Sequence, residues 1–346
     1  MEGLLKAVDE DKNLSGVLEH IDPKLLREDF TQMLLIRQFE LRAENAYREG
    51  HIGGFFHSYI GQEAIQTAAI RAMGKQHWWS CSYRCHALAL LLGVTPQELM
   101  SELYGKVTGN ALGRGGSMHL YTERLMGGFG IVGGQIPIAT GAALTIKRSR
   151  APDCSQPFKE ISVCFLGDGA VAQGAFHESL NLASLWDLPC LYVIENNEWG
   201  MGTAVDRAIA ALPIAARQAP SYDMEAIEVD GMDYFSCFTA FKKAFETISR
   251  TSRPVLMEVK AQRFRGHSVS DPGTYRTKDD LDACKQRDPI DLLEKKLIDA
   301  KIITKNCREQ ITEAVTLQVK EALTFAENSP FPSSATLEEG VYCEPL

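Results

Sequence analysis

Ile161-Ser162-Val163-Cys164-Phe165-Leu166-Gly167-Asp168-Gly169-Ala170 and, after a helix-length interval, Leu191-Tyr192-Val193-Ile194-Glu195-Asn196-Asn197 decide the fold. Each begins with a short unbroken apolar run, the pattern of a strand buried on both faces. The interval between them, residues 172–185, predicts a helix. Strand, helix and strand at this spacing form a βαβ unit with parallel strands. Ligands of such units bind beyond the carboxyl ends of the strands, where both Gly167-Asp168-Gly169 and Asn196-Asn197 fall.

Further apolar runs at Val255 to Val259 and, more weakly, Ile227 to Val229 extend the sheet. The predicted class is therefore α/β, a mostly parallel sheet with helices on both faces. Asp22-Pro23 opens a long first helix to about Gly50, with Leu25, Leu26, Phe30, Met33, Leu34 and Leu41 on helical spacing. Thr95-Pro96-Gln97-Glu98 is a capping box that starts a helix running to about Tyr104. Residues 104–141 are dense in glycine and poorly periodic, which marks a functional loop. Past Asp279 the chain turns helical and charged, then loosens after Asn328. The expected organisation is a mobile N-terminal extension over 1–21, one domain over 22–328 and a C-terminal tail over 329–346.

With 346 residues, 45% hydrophobic and 23% charged, the chain can bury a large core. A net charge of -9 without any basic run argues against nucleic-acid binding. The nine cysteines are scattered and odd in number, the pattern of reduced, buried thiols in a reducing compartment. Cys81 and Cys85 lack the second pair that a zinc site needs. No run of about 20 apolar residues is present, and residues 1–22 are acidic without an apolar or Arg-rich leader pattern. The expectation is a cytoplasmic protein that engages no membrane and whose partners are small molecules or proteins.

Asp168 and Asn197, at the ends of neighbouring strands, bring a carboxylate and an amide oxygen together. Such a hard-oxygen pair suits Mg²⁺ bound to phosphate. The plainer alternative is that Asp168 caps the next helix and Asn197 makes a turn. His57 lies in a glycine-rich loop beside Gly53 and Gly54 rather than on an apolar helix face, which favours a functional role. Gly128-Phe129-Gly130-Ile131-Val132-Gly133 has the G-x-G-x-x-G form, but no clear strand precedes it and no acidic residue follows at the right place. A nicotinamide site is therefore not expected. These glycines read as close backbone packing, followed by a helix from about Gln135 whose small face (Ala139, Gly141, Ala142, Ala143) would dock against another subunit.

Gly167-Asp168-Gly169 followed at this distance by Asn196-Asn197-Glu198-Trp199-Gly200-Met201-Gly202-Thr203 resembles the α subunits of thiamine-diphosphate-dependent 2-oxo acid dehydrogenases, of the pyruvate dehydrogenase type. The likeness runs from about residue 30 to 295. Its other blocks are Gly54 to Ala64, Ser82-Tyr83-Arg84-Cys85-His86, Gly115 to His119, Gly130 to Gly133 and Gly266 to Gly273. The resemblance implies the thiamine-diphosphate-binding fold with helical N- and C-terminal extensions. It implies a Mg²⁺ site of Asp168, Asn197 and the carbonyl of Trp199, where relatives usually carry Tyr or Phe. It further implies diphosphate contacts from Tyr83, Arg84, His267 and the backbone of Gly169 and Ala170, and aminopyrimidine contacts from Gly130 and Val132. His57 and His267 would be catalytic, with His57 facing the substrate; Arg265 stands where many relatives have another histidine.

The implied activity is oxidative decarboxylation of a small 2-oxo acid, with acyl transfer to the lipoyl group of a dihydrolipoyl acyltransferase. The implied assembly has two α and two β subunits. Gly116 to His119 and Gly200 to Thr203 resemble the pyruvate group more than branched-chain relatives, while acetoin dehydrogenase α subunits share much of the pattern. A non-catalytic scaffold of the same fold is the alternative from another class.

Overall fold

The strands send alternate side chains into two separate apolar cores. The computed structural model describes residues 21–151 and 156–339. Its main sheet contains β1 (Trp78–Ser82), β2 (Leu125–Phe129), β3 (Ser162–Gly167) and β4 (Cys190–Asn196). A minimal hairpin, β5 (Trp199–Gly200) with β6 (Thr203–Ala204), precedes the last two sheet strands, β7 (Glu225–Asp230) and β8 (Val255–Lys260). The order is β2-β1-β3-β4-β8-β7, and every pairing in this sheet is parallel. Val163, Phe165, Leu191, Val193, Val255, Met257 and Val259 enter one core. Cys164, Leu166, Cys190, Tyr192, Ile194 and Leu256 enter the other. Strands covered on both faces need no polar face, so the apolar runs are unbroken.

Helices fill both faces. In chain order they are α1 (Pro23–Arg48), α2 (Glu63–Met73), α3 (His86–Leu91), α4 (Pro96–Leu103), α5 (Gln135–Arg148) and α6 (Gly174–Leu185). Then follow α7 (Val205–Ala208), α8 (Ile214–Gln218), α9 (Tyr234–Thr251), α10 (Lys278–Lys285), α11 (Pro289–Asp299) and α12 (Lys305–Asn328). Buried side chains of α1, α2 and α9 line the first core, those of α5 and α6 the second. The Asp22 carboxylate accepts from Lys24 N–H at 2.8 Å to start α1, and Thr95 and Glu98 cap α4 reciprocally, as their sequences require. From β1 the chain runs to β2 on one side, while β3 leads to β4 on the other. This reversal between adjacent strands opens the crevice at their carboxyl ends.

Two expectations are corrected. A strand does precede the Gly128 to Gly133 motif: β2, at the edge of the sheet. Its Leu-Met-Gly-Gly-Phe sequence has too little strand propensity to be read, and it forms because Cys81, Ser82 and Trp79 of β1 supply a pairing partner. A Cβ on Gly128 would lie 2.5 Å from Cys85 Sγ, so the glycine makes room for that sulfur. The second concerns α5, whose small residues do not form one outward face. Ala139 and Ala143 are buried in the chain's own second core, whereas Gly141 and Ile138 face out.

Residues 104–134 are tightly held rather than free. The buried Glu102 carboxylate accepts four backbone N–H groups, from Ala111 (2.7 Å), Gly113 (2.9 Å), Gly115 (2.7 Å) and Gly116 (3.0 Å). The described part of the C-terminal segment straps this region instead of leaving it. Lys106 Nζ donates to Ser329 O at 2.9 Å and lies 3.8 Å from the Phe331 ring centre, and Arg114 donates to the carbonyls of Thr336 and Glu339, both at 2.6 Å. Residues 1–20 of the expected N-terminal extension, residues 340–346 of the tail, Cys154 and Cys343 lie outside the described residues. The seven described cysteines are unpaired thiols, five of them buried.

Candidate active site

Every residue singled out for the site sits just past a strand or in the loop before α2. Tyr83 and Arg84 follow β1, Gly130 and Val132 follow β2, and Asp168, Gly169 and Ala170 follow β3. Asn197 and Trp199 follow β4, while His267 comes after β8. The loop before α2 adds His57. Parallel pairing puts these ends on one edge of the sheet, so residues 183 positions apart, Arg84 and His267, meet.

Glu40 of α1 ties the loop before α2 to the segment after β1 and, through His86, to Ser117. It accepts the Tyr59 N–H at 3.0 Å and meets His86 Nδ1 at 3.0 Å, and His86 Nε2 reaches Ser117 Oγ at 2.8 Å. Burial opposes charge on His86, but the Glu40 carboxylate outweighs it and raises the imidazole's pKa.

Arg84 and the previously unremarked Arg263 are both buried, and neither forms a salt bridge among the described residues. Arg84 donates to Ser58 O at 2.7 Å and to His267 O at 2.6 Å. Burial, and then the nearby Arg263, lower its pKa to about 10, which leaves it charged at neutral pH. Arg263 donates through Nε to Asn197 Oδ1 at 3.1 Å, and through Nη2 to the carbonyls of Trp199 (3.4 Å) and Met201 (3.3 Å). Its Nη1 has no partner. Two buried guanidinium ions without a carboxylate partner are costly unless an anion joins them. Arg265, by contrast, points away and pairs with Glu44 at 2.9 Å.

Asp168 is 2% exposed, and burial pushes its pKa up to about 6. Backbone amides of Asp168 and Asn197, and the charges of Arg263 and Arg84, pull it the other way. Asn197 is oriented from both ends: Nδ2 donates to Gln62 Oε1 at 3.2 Å while Oδ1 accepts from Arg263. The backbones of Gly169 and Gly200 pack closely, since a Cβ on Gly169 would lie 3.4 Å from Gly200 Cα. A Cβ on Gly167 would meet no atom within 4 Å, so open space lies beside that turn. Among the described residues no cluster of three His, Cys, Asp or Glu could hold a metal. A cation here would rely on one carboxylate with amide and carbonyl oxygens, the donor set of a hard ion that keeps phosphate or water as its other ligands.

The histidines form an aromatic group. The rings of His57 and Tyr83 are 4.2 Å apart, those of His57 and His267 5.1 Å, and Tyr83 Oη lies 3.5 Å from His267 Nε2. Burial, followed by the Arg84 charge, drives the pKa of His57 down to about 2 and that of His267 to about 4. Both are neutral at physiological pH. His57 Nδ1 is buried without a partner, a polar atom that a ligand can satisfy.

Arg263, Gln62 and Glu102 escaped the sequence-based reading. For Arg263 a signal was present: a basic residue just beyond the carboxyl end of a legible strand. Glu102 carried none, because its partners are backbone amides.

This constellation at a parallel-sheet switch point defines a class. The Dehydrogenase E1 component family model matches residues 31–335, and the chain belongs to that family. Among its relatives, the pyruvate dehydrogenase E1 component subunit alpha of Rickettsia felis is 42% identical over 316 residues, 91% of this chain and 94% of that one. The protein of the same name from Porphyra purpurea is 37% identical over 319 residues, 91% and 92% of the two chains.

Proposed function

We propose that this chain is the α subunit of a pyruvate dehydrogenase E1 component, and that its crevice binds thiamine diphosphate through Mg²⁺. The observation that carries the reading is the pair of buried, carboxylate-free arginines, Arg84 and Arg263, set beside the buried carboxylate of Asp168. Together they suit a polyanion that brings its own cation. Asp168, the Asn197 side chain and the Trp199 carbonyl would hold Mg²⁺. Arg84, Tyr83, His267 and the backbone of Gly169 and Ala170 would face the diphosphate, while Gly130 and Val132 would face the aminopyrimidine end.

When bound, thiamine diphosphate supplies the nucleophilic carbon and electron sink for decarboxylation of a 2-oxo acid. The chain's own work is placement and electrostatics. Neutral His57 can donate one hydrogen bond and accept another without adding charge, which suits a group facing substrate and the departing acyl unit. Tyr83, packed on His57, fixes the ring plane.

A β subunit completes the site, in an assembly of two α and two β chains. Exposed Ile131, Val132 and Ile138, before and in the first turns of α5, are apolar side chains that suit such a partner. The acyl group would pass to the lipoyl group of a dihydrolipoyl acyltransferase, leading to acetyl-CoA and CO₂ in the cytoplasm. The chain, co-expressed with its β partner, is assayed with pyruvate, acetoin and branched-chain 2-oxo acids in the presence of thiamine diphosphate and Mg²⁺. Highest kcat/KM with pyruvate is expected; preference for another substrate reassigns it, and no turnover with any of them removes the enzymatic reading.

A further inference from the structure

Arg263 is held by the same oxygens that the proposed cation needs. Its guanidinium lies 3.1 Å from Asn197 Oδ1 and 3.4 Å from Trp199 O, two of the three proposed metal ligands. The third, Asp168, feels the same charge. The guanidinium is not free to swing aside: Arg263 is 1% exposed and donates as well to Met201 O (3.3 Å) and Tyr275 Oη (3.4 Å). Among the described residues no carboxylate forms a direct ion pair with it, and the nearest acidic groups that feel its charge are Asp168 and Asp271. Nη1 remains without a partner in the crevice wall. Arg84 differs, because its donors go to Ser58 and His267 carbonyls and to none of these oxygens.

Two consequences follow from this placement. Arg263 and Gln62 together orient the Asn197 amide, so that its oxygen and not its nitrogen is presented. A divalent ion on these oxygens also lies beside a fixed positive charge that repels it, and a diphosphate neutralises both at once. We infer that Arg263 is a positioning residue that makes divalent-cation binding conditional on the diphosphate, so that neither half of the cofactor is held well without the other. The inference rests on the proposed cofactor site. Because coupling between two ligands is reciprocal, the diphosphate raises metal affinity by the same factor by which the metal raises diphosphate affinity.

The test uses the full chain co-purified with its β subunit and Mn²⁺ as a paramagnetic probe. Protein-bound Mn²⁺ is measured by electron paramagnetic resonance, alone and with inorganic pyrophosphate or thiamine diphosphate, against protein-free samples that account for Mn²⁺ chelated by the diphosphate in solution. The wild type is expected to hold Mn²⁺ weakly alone and about 100-fold more tightly with either diphosphate. In Arg263→Gln, affinity for Mn²⁺ alone should rise about fivefold or more while the enhancement by diphosphate shrinks by at least about tenfold. Wild-type protein that holds Mn²⁺ equally well with and without diphosphate overturns the inference, and this arm needs no variant to fold. A folded Arg263→Gln protein that keeps the full enhancement overturns it too. If thiamine diphosphate itself fails to bind with saturating Mn²⁺, the cofactor reading falls along with it; if it binds without coupling, the inference alone falls.

Discussion

Asp168 combines two demands that pull against each other: burial, which favours a neutral carboxyl, and a charge that a cation needs. Its pKa of about 6 places it between them. Asp168→Asn keeps the shape and removes the charge, so Mg²⁺-dependent binding of thiamine diphosphate should weaken by about 100-fold or more, measured by calorimetry, while the thermal midpoint hardly changes. The histidines give a pH test. His57 and His267 have folded-state values of about 2 and about 4, below the unfolded 6.5. The unfolded chain therefore takes up protons first as pH falls below about 6.5, and native stability drops through that window toward pH 4. At pH 5 the loss amounts to ~2 kcal/mol for the buried His57 and less for the partly exposed His267, whose charge solvent screens. Denaturant midpoints at pH 7 and pH 5 should converge in a His57→Asn, His267→Asn variant; an unchanged difference would refute the assignment of neutral rings. Asp168, Asn197, Arg84 and the two histidines were legible because small motifs surround them. Arg263 lay just beyond the carboxyl end of a legible strand, but no motif marked it, and its contacts with Asn197 and Trp199 appear only once the loop after β8 is placed against that after β4.

At the scale of elements, β3, β4 and β8 declared themselves because a strand buried on both faces must be apolar throughout. β1, reading Trp-Trp-Ser-Cys-Ser, and glycine-rich β2 exist through their neighbours and left no comparable pattern. The glycine-dense stretch reads as an irregular loop in the sequence, and its order comes from Glu102. Glu102→Gln leaves one oxygen to serve four amides, so at least two lose their acceptor. A destabilisation of about 2–4 kcal/mol follows. Limited proteolysis should show it as new cleavage between residues 105 and 134, and protection equal to wild type would count against this role.

For the whole molecule, the helices that cover the second core leave apolar side chains facing outward. Ile138, 48% exposed on α5, offers a test of that surface. Ile138→Asp should leave the fold of the α chain intact by circular dichroism and abolish co-purification with the β subunit; recovery of the intact assembly would place the interface elsewhere. The expectation of a small-residue docking face on α5 fails for Ala139 and Ala143, because periodicity alone cannot say which side of a helix meets its own sheet. Ala139 and Ala143 serve the interior and Gly141 the exterior.

Cys85 and Gly128 share one parcel of space, since the sulfur occupies the position a side chain at 128 would take. The Met118 carbonyl oxygen would stand 2.6 Å from the same Cβ, so the space is closed from a second side by backbone that no change at 85 can move. Gly128→Ala should therefore lower the thermal midpoint, and adding Cys85→Gly should not restore it.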